Sequence, residues 1–215
     1  MTYLQLINAV LRRLREDEVT TLNTSYAKLI GDFVNETIVE VGNAWNWHSG
    51  RTTIVVSTVA GTSTYEVSGA GRYFKYLSVY DNTNKSYLTL VSSPYMDFLY
   101  LGGDAPSGQP EFFATNSYNS ATDNPYIDIY PIPDSSNAIY FNLYVPQAIL
   151  TNTTDVCDLP SNMIILGAWA KAISERGEDG GQNTIEQQLM YKSALSDAIA
   201  IDVEHSVGET TWQQV

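Results

Sequence analysis

The sequence predicts an α+β protein: a four-helix bundle formed by the two ends of the chain, with an antiparallel β-sandwich or barrel-like domain inserted between them. Three observations carry that expectation. Apolar residues recur at three- and four-residue steps over residues 2–43 and again over 158–203, which is the period of an amphipathic helix. Residues 51–150 switch to short β-branched and aromatic runs with partial alternation, the period of a strand. The helical ends bracket the β middle, so they are expected to pack on one another and present it. The expected divisions are 1–50 with 151–207 for the bundle, 51–150 for the β insertion and 208–215 for a polar tail.

The first helix is expected over residues 2–17, with Thr2 as N-cap and a stripe of Tyr3, Ile7, Val10 and Leu14 widened by Leu4 and Leu11. Residues 19–24 read as a connector. Thr24 or Ser25 caps a second helix running to about Asn43, whose stripe is Tyr26, Ile30, Val34, Ile38, Val41 and Trp45. Such a helix is roughly 30 Å long and suits a spine. Ala44-Trp45-Asn46-Trp47 and Gly50 break it. Strand-like runs follow at 52–56, 64–67, 76–80, 87–91, 126–130 and 138–145, with Asp81-Asn82-Thr83-Asn84 as a hairpin loop between the third and fourth. Residues 94–101 read as a short helix, and 102–110 and 116–124 as long polar loops of the kind that carry binding surfaces. Asp158-Leu159-Pro160-Ser161 opens a helix to Arg176 bearing Ile164, Ile165, Ala168, Trp169, Ala172 and Ile173, stopped by Gly177 and Gly180-Gly181. Asn183 or Thr184 caps a last helix with Ile185, Leu189, Lys192, Leu195 or Ser196, Ile199 and Val203 along one side. No internal repeat is visible.

Composition narrows the function. Eleven Lys and Arg against 24 Asp and Glu give a net charge of −13 and a pI near 4.3. That surface repels phosphate backbones and anionic membranes, so sequence-specific nucleic-acid binding is not expected. Acidity is compatible with a wall past which DNA slides without sticking. Cys157 is the single cysteine, which excludes an intramolecular disulfide framework and fits assembly in a reducing cytoplasm. The N-terminus lacks the apolar core and cleavage site of a signal peptide, and no stretch approaches the roughly 18 apolar residues of a membrane span, so a soluble, unprocessed chain is expected.

Catalytic chemistry is sparse, and no enzyme activity, metal or cofactor is expected. His48 and His205 lie in different segments without Cys or carboxylate at metal-ligand spacing. Cys157 has no nucleophile context and reads as a small buried thiol. Asp128 is the best single candidate for a glycosidase carboxylate, but alternation places it opposite Ile127 and Ile129, where a solvated group is expected. Gly102-Gly103-Asp104 lacks the Lys and Ser/Thr of a phosphate loop. The excess to weigh is aromatic: 15 tyrosines and four tryptophans, residue types that fill β cores and anchor interfaces. Arg12, Arg13 and Arg15 form the one local basic cluster, either a solvated helix end or a contact to an acidic neighbour. The tail ends Trp212-Gln213-Gln214-Val215, either a disordered terminus or an anchor that orders on binding.

These pieces resemble a known family. Ile7-Asn8-Ala9-Val10-Leu11, then Val19-Thr20-Thr21-Leu22, then a long helix ending at Ala44-Trp45-Asn46-Trp47 is similar to the start of head-to-tail adaptor proteins of short-tailed bacteriophages, the tail tubular protein A type. Leu159-Pro160 opening a helix with Trp169-Ala170 after a β insertion is the second likeness. The layout covers nearly the whole chain, through short motifs. Where relatives show Gly-Glu after the first helix, this chain has Arg15-Glu16-Asp17-Glu18. The resemblance implies a structural virion protein assembled in the host cytoplasm, a wedge in a twelve-fold ring below the portal. Its partners would be the portal ring, the tail nozzle protein and its own copies, with DNA passing through the lumen. It further implies a subunit that stays monomeric until the portal supplies a template, and makes Arg12, Arg13, Arg15, Trp212, Gln213, Gln214 and Val215 the expected portal-docking residues. The competing reading is a glycan-binding β module of a tail fibre or adhesin, marked by exposed aromatics on one sheet face.

Overall fold

Side-chain caps at Thr2 and Thr24 mark where the first two helices start. The computed structural model describes residues 1–102, 105–177 and 182–206. In chain order the elements are α1 (Tyr3–Arg13), α2 (Ser25–Ala44), β1 (Arg51–Ser57), β2 (Thr64–Glu66), β3 (Lys75–Asp81), β4 (Ser86–Tyr87), β5 (Thr89–Leu90) and α3 (Ser93–Leu101). There follow β6 (Ser107–Gly108), β7 (Phe112–Tyr118), β8 (Pro125–Tyr130), β9 (Ile132–Pro133), β10 (Ala138–Tyr144), α4 (Ser161–Arg176) and α5 (Gln182–Ser206). The chain divides into two units, one of Met1–Gly50 with the chain from Pro146, the other Arg51–Val145.

In the helical unit, Thr2 and Gln5 form a reciprocal capping box at the start of α1. The helix stops at Arg13, short of the expected residue 17. Leu14 is its C-cap and Arg15 sits at φ 59°. The Arg15 amide donates to Arg12 (3.1 Å) and the Glu16 amide to Leu11 (3.0 Å), which is the two-bond closure of a left-handed helix end. Glycine takes that position without a Cβ penalty, so Arg15→Gly is expected to stabilise the unit by about 1 kcal/mol in urea unfolding. A loss of stability would show that the arginine side chain contributes more than its backbone costs.

Thr24 caps α2, and Ile30, Val34, Ile38 and Val41 are fully buried. Trp45 falls just outside the helix as C-cap, while the indole of Trp47 donates to the Val41 carbonyl at 2.7 Å, satisfying a last-turn group. Two asparagines then act as peptide mimics. Asn8 brackets the Val19 peptide with two 2.9 Å bonds, and Asn35 brackets Leu150 with bonds of 2.9 and 3.0 Å. The N-terminal residues also pair with 155–157, Tyr3 donating to the Asp155 carbonyl and Cys157 to that of Met1.

Helix α4 ends at Gly177 in the left-handed conformation and packs against α1, α2 and α5. A Cβ built on Gly167 would stand 2.5 Å from Thr37 Cγ2 and 3.0 Å from the Tyr191 ring, so Gly167 permits the close approach of α2 and α5. Lys171 bridges to Glu36 (3.0 Å) and Glu40 (2.6 Å) of α2. The expected apolar stripe of α5 needs correction: Ile185 and Leu189 are about three-fifths exposed, and the half-buried side carries Tyr191, Leu195, Ile199 and Val203. Seating the Tyr191 ring beside Gly167 rotates the helix away from its most apolar stripe.

The β unit contains two four-stranded sheets, β1-β10-β3-β4 and β2-β8-β7-β5, and a small β6-β9 pair. Val56, Val79, Ile139, Phe141 and Leu143 of the first sheet share one core with Tyr65, Phe113, Ile127 and Ile129 of the second. The purely antiparallel expectation is corrected, because β5 with β7 and β6 with β9 pair in parallel. The run at 87–91, expected as one strand, divides around buried Leu88: Ser86–Tyr87 joins β3, and Thr89–Leu90 joins β7 in the other sheet. Strand β7 was hidden in sequence by Asn116 and Ser117, residues with low strand propensity; the pairing register slips there, which accommodates them. The rest of the supposed long loop is a pinned turn. The Glu66 carboxylate accepts from Asn124 (2.8 Å), Thr122 (2.9 Å) and Asn119 (3.2 Å), bonds that hold its pKa below the ordinary carboxylate value.

Candidate assembly surfaces

Of the side chains weighed for chemistry, Asp128 is hydrogen-bonded on its sheet and Cys157 is buried. Asp128 faces outward as alternation predicts and accepts from Thr64 Oγ1 and, at 2.8 Å, from Asn116. Cys157 is buried, and burial pushes its thiol pKa up, away from nucleophile behaviour. Among the described residues no group of three or more His, Cys, Asp or Glu is arranged to hold a metal, and no helix is long and apolar enough to cross a membrane.

The Trp-aromatic turn after α2 has a purpose that sequence could not show. Asp202 of α5 accepts from the Trp45 indole at 2.9 Å and lies within 3.3–3.4 Å of the His48 amide, with His48 Nδ1 at 3.3 Å. One carboxylate thus fastens the last helix to the end of α2 across 157 positions of sequence. Asp202→Ala leaves the indole and amide donors without that partner and is expected to cost about 2 kcal/mol. Hydrogen exchange should show it as faster exchange along Gln182–Ser206 with α1 unaffected.

The arginines expected to dock gather in one turn, but each already has a role within the subunit. Arg12 pairs with Glu18 at 2.7 Å, Arg13 stacks over the Trp169 ring at 5.2 Å, and Arg15 holds the left-handed helix end. Arg176, at the end of α4, reaches Glu16 and stacks on Tyr26. This end of the helical unit therefore sets Glu16 and Glu18 among its arginines. Trp212, Gln213, Gln214 and Val215, and with them the whole expected tail 208–215, lie outside the described residues, as do Asp104, Gly180 and Gly181.

Three uncovered apolar features were missed in sequence. On the outer side of the first sheet, cross-strand pairing aligns Val55, Tyr140, Tyr80 and Tyr87 in one row. Tyr80 and Tyr87 pack at 5.1 Å between centroids, and Tyr87 is 71% exposed. The next row is polar: Thr53 donates to Asn142 at 2.6 Å and Asn142 to Ser78 at 2.9 Å. On the outer side of the second sheet lies α3. Its Met96 is buried, its Tyr100 hydroxyl donates to the Ile129 carbonyl at 2.6 Å with the phenol pKa pushed up to about 12 by burial, and its Ser93 donates to Thr115. Ala114 points outward by alternation yet is 1% exposed, as expected beneath that helix. The opposite side of α3 presents Tyr95, Phe98 and Leu101 to solvent, the last 86% exposed. The third feature is the Ile185, Leu189, Met190 and Ile201 side of α5. A three-residue aromatic spacing at Tyr95 and Phe98 was the one available signal; the tyrosine row depends on register.

Exposed apolar features of this kind are the ones a protein partner could cover. No curated protein matches the chain. The family model described as SU10 adaptor protein matches residues 1–213, nearly the full sequence and both units. The likeness drawn from the Asn8–Val19 and Trp45–Trp47 motifs therefore holds at family level: the chain belongs to the SU10 adaptor protein family of bacteriophages, a component of the virion neck.

Proposed function

We propose that the protein is a structural, non-enzymatic head-to-tail adaptor that forms a ring below the portal, joins the capsid vertex to the tail and lines the DNA conduit. The observation that carries this reading is the family match over residues 1–213. The net charge of −13 supports a conduit that DNA passes without adhering. In this reading the four long helices act as a four-helix bundle on the portal side, with the β unit inserted and directed to neighbouring copies and the tail nozzle. Support for the portal side comes from the uncovered apolar side of α5 and from the arginine-bearing turn after α1. Residues 208–215, with Trp212 as anchor, are the proposed docking tail. Subunits assemble in the host cytoplasm after packaging and stay monomeric until the portal templates the ring, since contacts between isolated wedges do not offset the entropy of association.

Sedimentation velocity of the protein with the portal ring of the same virus tests this. A complex with many copies per portal is expected, and its mass counts the ring; a protein that stays monomeric beside the portal overturns the reading. Deleting 208–215 should weaken attachment without lowering the unfolding midpoint. Arg12→Glu with Arg15→Glu should weaken it as well, Arg13 being spared because it stacks on Trp169. Wild-type loading by both variants would reduce those residues to local structure. The Tyr140–Tyr80–Tyr87 row favours one second reading, a platform for a neutral glycan, and a polysaccharide array with Tyr87→Ala as control decides it.

A further inference from the structure

The β unit carries two exposed apolar features on opposite sides of one folded body. The first is the Val55–Tyr140–Tyr80–Tyr87 row on the outer face of the β1-β10-β3-β4 sheet, exposed at its two ends, Val55 and Tyr87, and half-buried at Tyr140 and Tyr80 between them. The second is the Tyr95, Phe98 and Leu101 side of α3, which lies over the outer face of the other sheet. Both sheets turn their inner faces to a single shared core, so the two outer faces point away from each other. A closed ring of identical subunits needs such an arrangement: two different surfaces per copy, each complementary to the other and none to itself.

Charge agrees with the pairing. The first sheet and its β3–β4 turn carry Arg51, Lys75 and Lys85, and their one acid, Asp81, is buried and bonded to Asn84 and Asn137. The second sheet and α3 carry Glu66, Asp97 and Asp128 and no Lys or Arg, with Glu111 just ahead of β7. Copies of so acidic a chain repel one another overall, so they can meet only where this repulsion is locally absent or reversed. A basic, tyrosine-bearing face set against an acidic, aromatic one meets that condition, and tyrosine and phenylalanine are residue types enriched at interface centres.

We propose that neighbouring copies join through their β units, the tyrosine row of one subunit packing against the exposed side of α3 in the next. This contact rests on the adaptor reading, whose ring it would close. Each copy then offers a free row at one flank and a free α3 at the other, and the chain of contacts ends only when the ring shuts.

The test uses Tyr87→Asp and Phe98→Asp in the full-length protein. Both side chains are mostly exposed, 71% and 66%, so folding is retained, and matching circular dichroism with wild type confirms it. Each variant alone is expected to lose association between copies on the portal by at least about thirtyfold, the loss of a central aromatic anchor. Leu101→Asp should repeat the Phe98→Asp result. Loaded together onto the portal, the two variants should associate as one-to-one pairs, because one retains an intact α3 and the other an intact tyrosine row; neither should pair with itself. Full rings from both variants would overturn the proposal while leaving the adaptor reading intact, and would leave the tyrosine row to another occupant such as a neutral polysaccharide. A wild-type protein that never self-associates, with or without the portal, would overturn both.

Discussion

Phe141→Ala is expected to unfold the β unit while the helical unit keeps its stability. Phe141 is fully buried at the centre of the shared core, edge-on to Phe113 of the opposite sheet at 6.2 Å. Phe113 in turn meets Tyr76 at 5.0 Å, and Tyr76 meets Phe74 at 4.9 Å, so this line of rings stitches the sheets together. Tyr76 is held at its far end by a 2.9 Å bond to Thr115, and burial raises its phenol pKa to about 12. Removing the ring forfeits its transfer energy and leaves a cavity between two stiff sheets, a cost of about 3–5 kcal/mol. The sequence supplies a convenient readout. Trp45, Trp47, Trp169 and Trp212 all fall outside Arg51–Val145, so no indole belongs to the β unit, while near-ultraviolet tyrosine dichroism is weighted to it. The expected result in urea is an earlier tyrosine transition with an unchanged tryptophan transition. Coincident shifts would mean that the two units unfold as one, and portal loading by the variant would show how far assembly depends on the β unit.

Gly167→Ala is expected to have the opposite selectivity. The new methyl would stand 2.5 Å from Thr37 Cγ2 and 3.0 Å from the Tyr191 ring, where α2 and α5 close on α4. Neither neighbour yields easily, since Thr37 is fully buried with its hydroxyl bonded to Phe33, and the Tyr191 ring seats α5. Overpacking of this kind costs about 1–3 kcal/mol, and here the upper end is expected because two contacts are violated by one methyl. The tryptophan transition should shift to lower urea and the tyrosine transition should stay. Thr37→Ser removes Cγ2 but keeps the hydroxyl, so adding it to Gly167→Ala should recover part of the loss; a double variant no better than the single would place the clash on Tyr191 instead.

Signals confined to one turn of chain were legible from the start. Thr2 and Thr24 cap the helices they were expected to cap, Gly177 ends α4, and the Ile30, Val34, Ile38 and Val41 stripe is buried along its length. Five of the expected strand runs appear close to their positions, because β-branched and aromatic alternation is also local. Legibility failed where one residue answers to two partners. Arg15 carries no helix-stop signal, yet it takes the left-handed position that glycine fills most readily, and the helix ends early. The run at 87–91 reads as one strand, yet two sheets divide it at Leu88. Ile185 and Leu189 look like core, yet the fit of Tyr191 beside Gly167 turns them outward.

By itself, then, the sequence determined the α+β class, the order of its helices and of five of its strands, the acidic character of the chain, and enough short motif to indicate a phage adaptor. Each of these depends on neighbours within a few residues or on composition, which survive any rearrangement of the fold. Only the tertiary structure decided which strands pair, that two pairs run parallel, that Asp202 fastens α5 to the Trp45 turn, and that three tyrosines from distant segments line one row. Those outcomes are set by register and helix rotation, where a shift of one residue moves a side chain to the opposite face, and that choice is made by packing across the core.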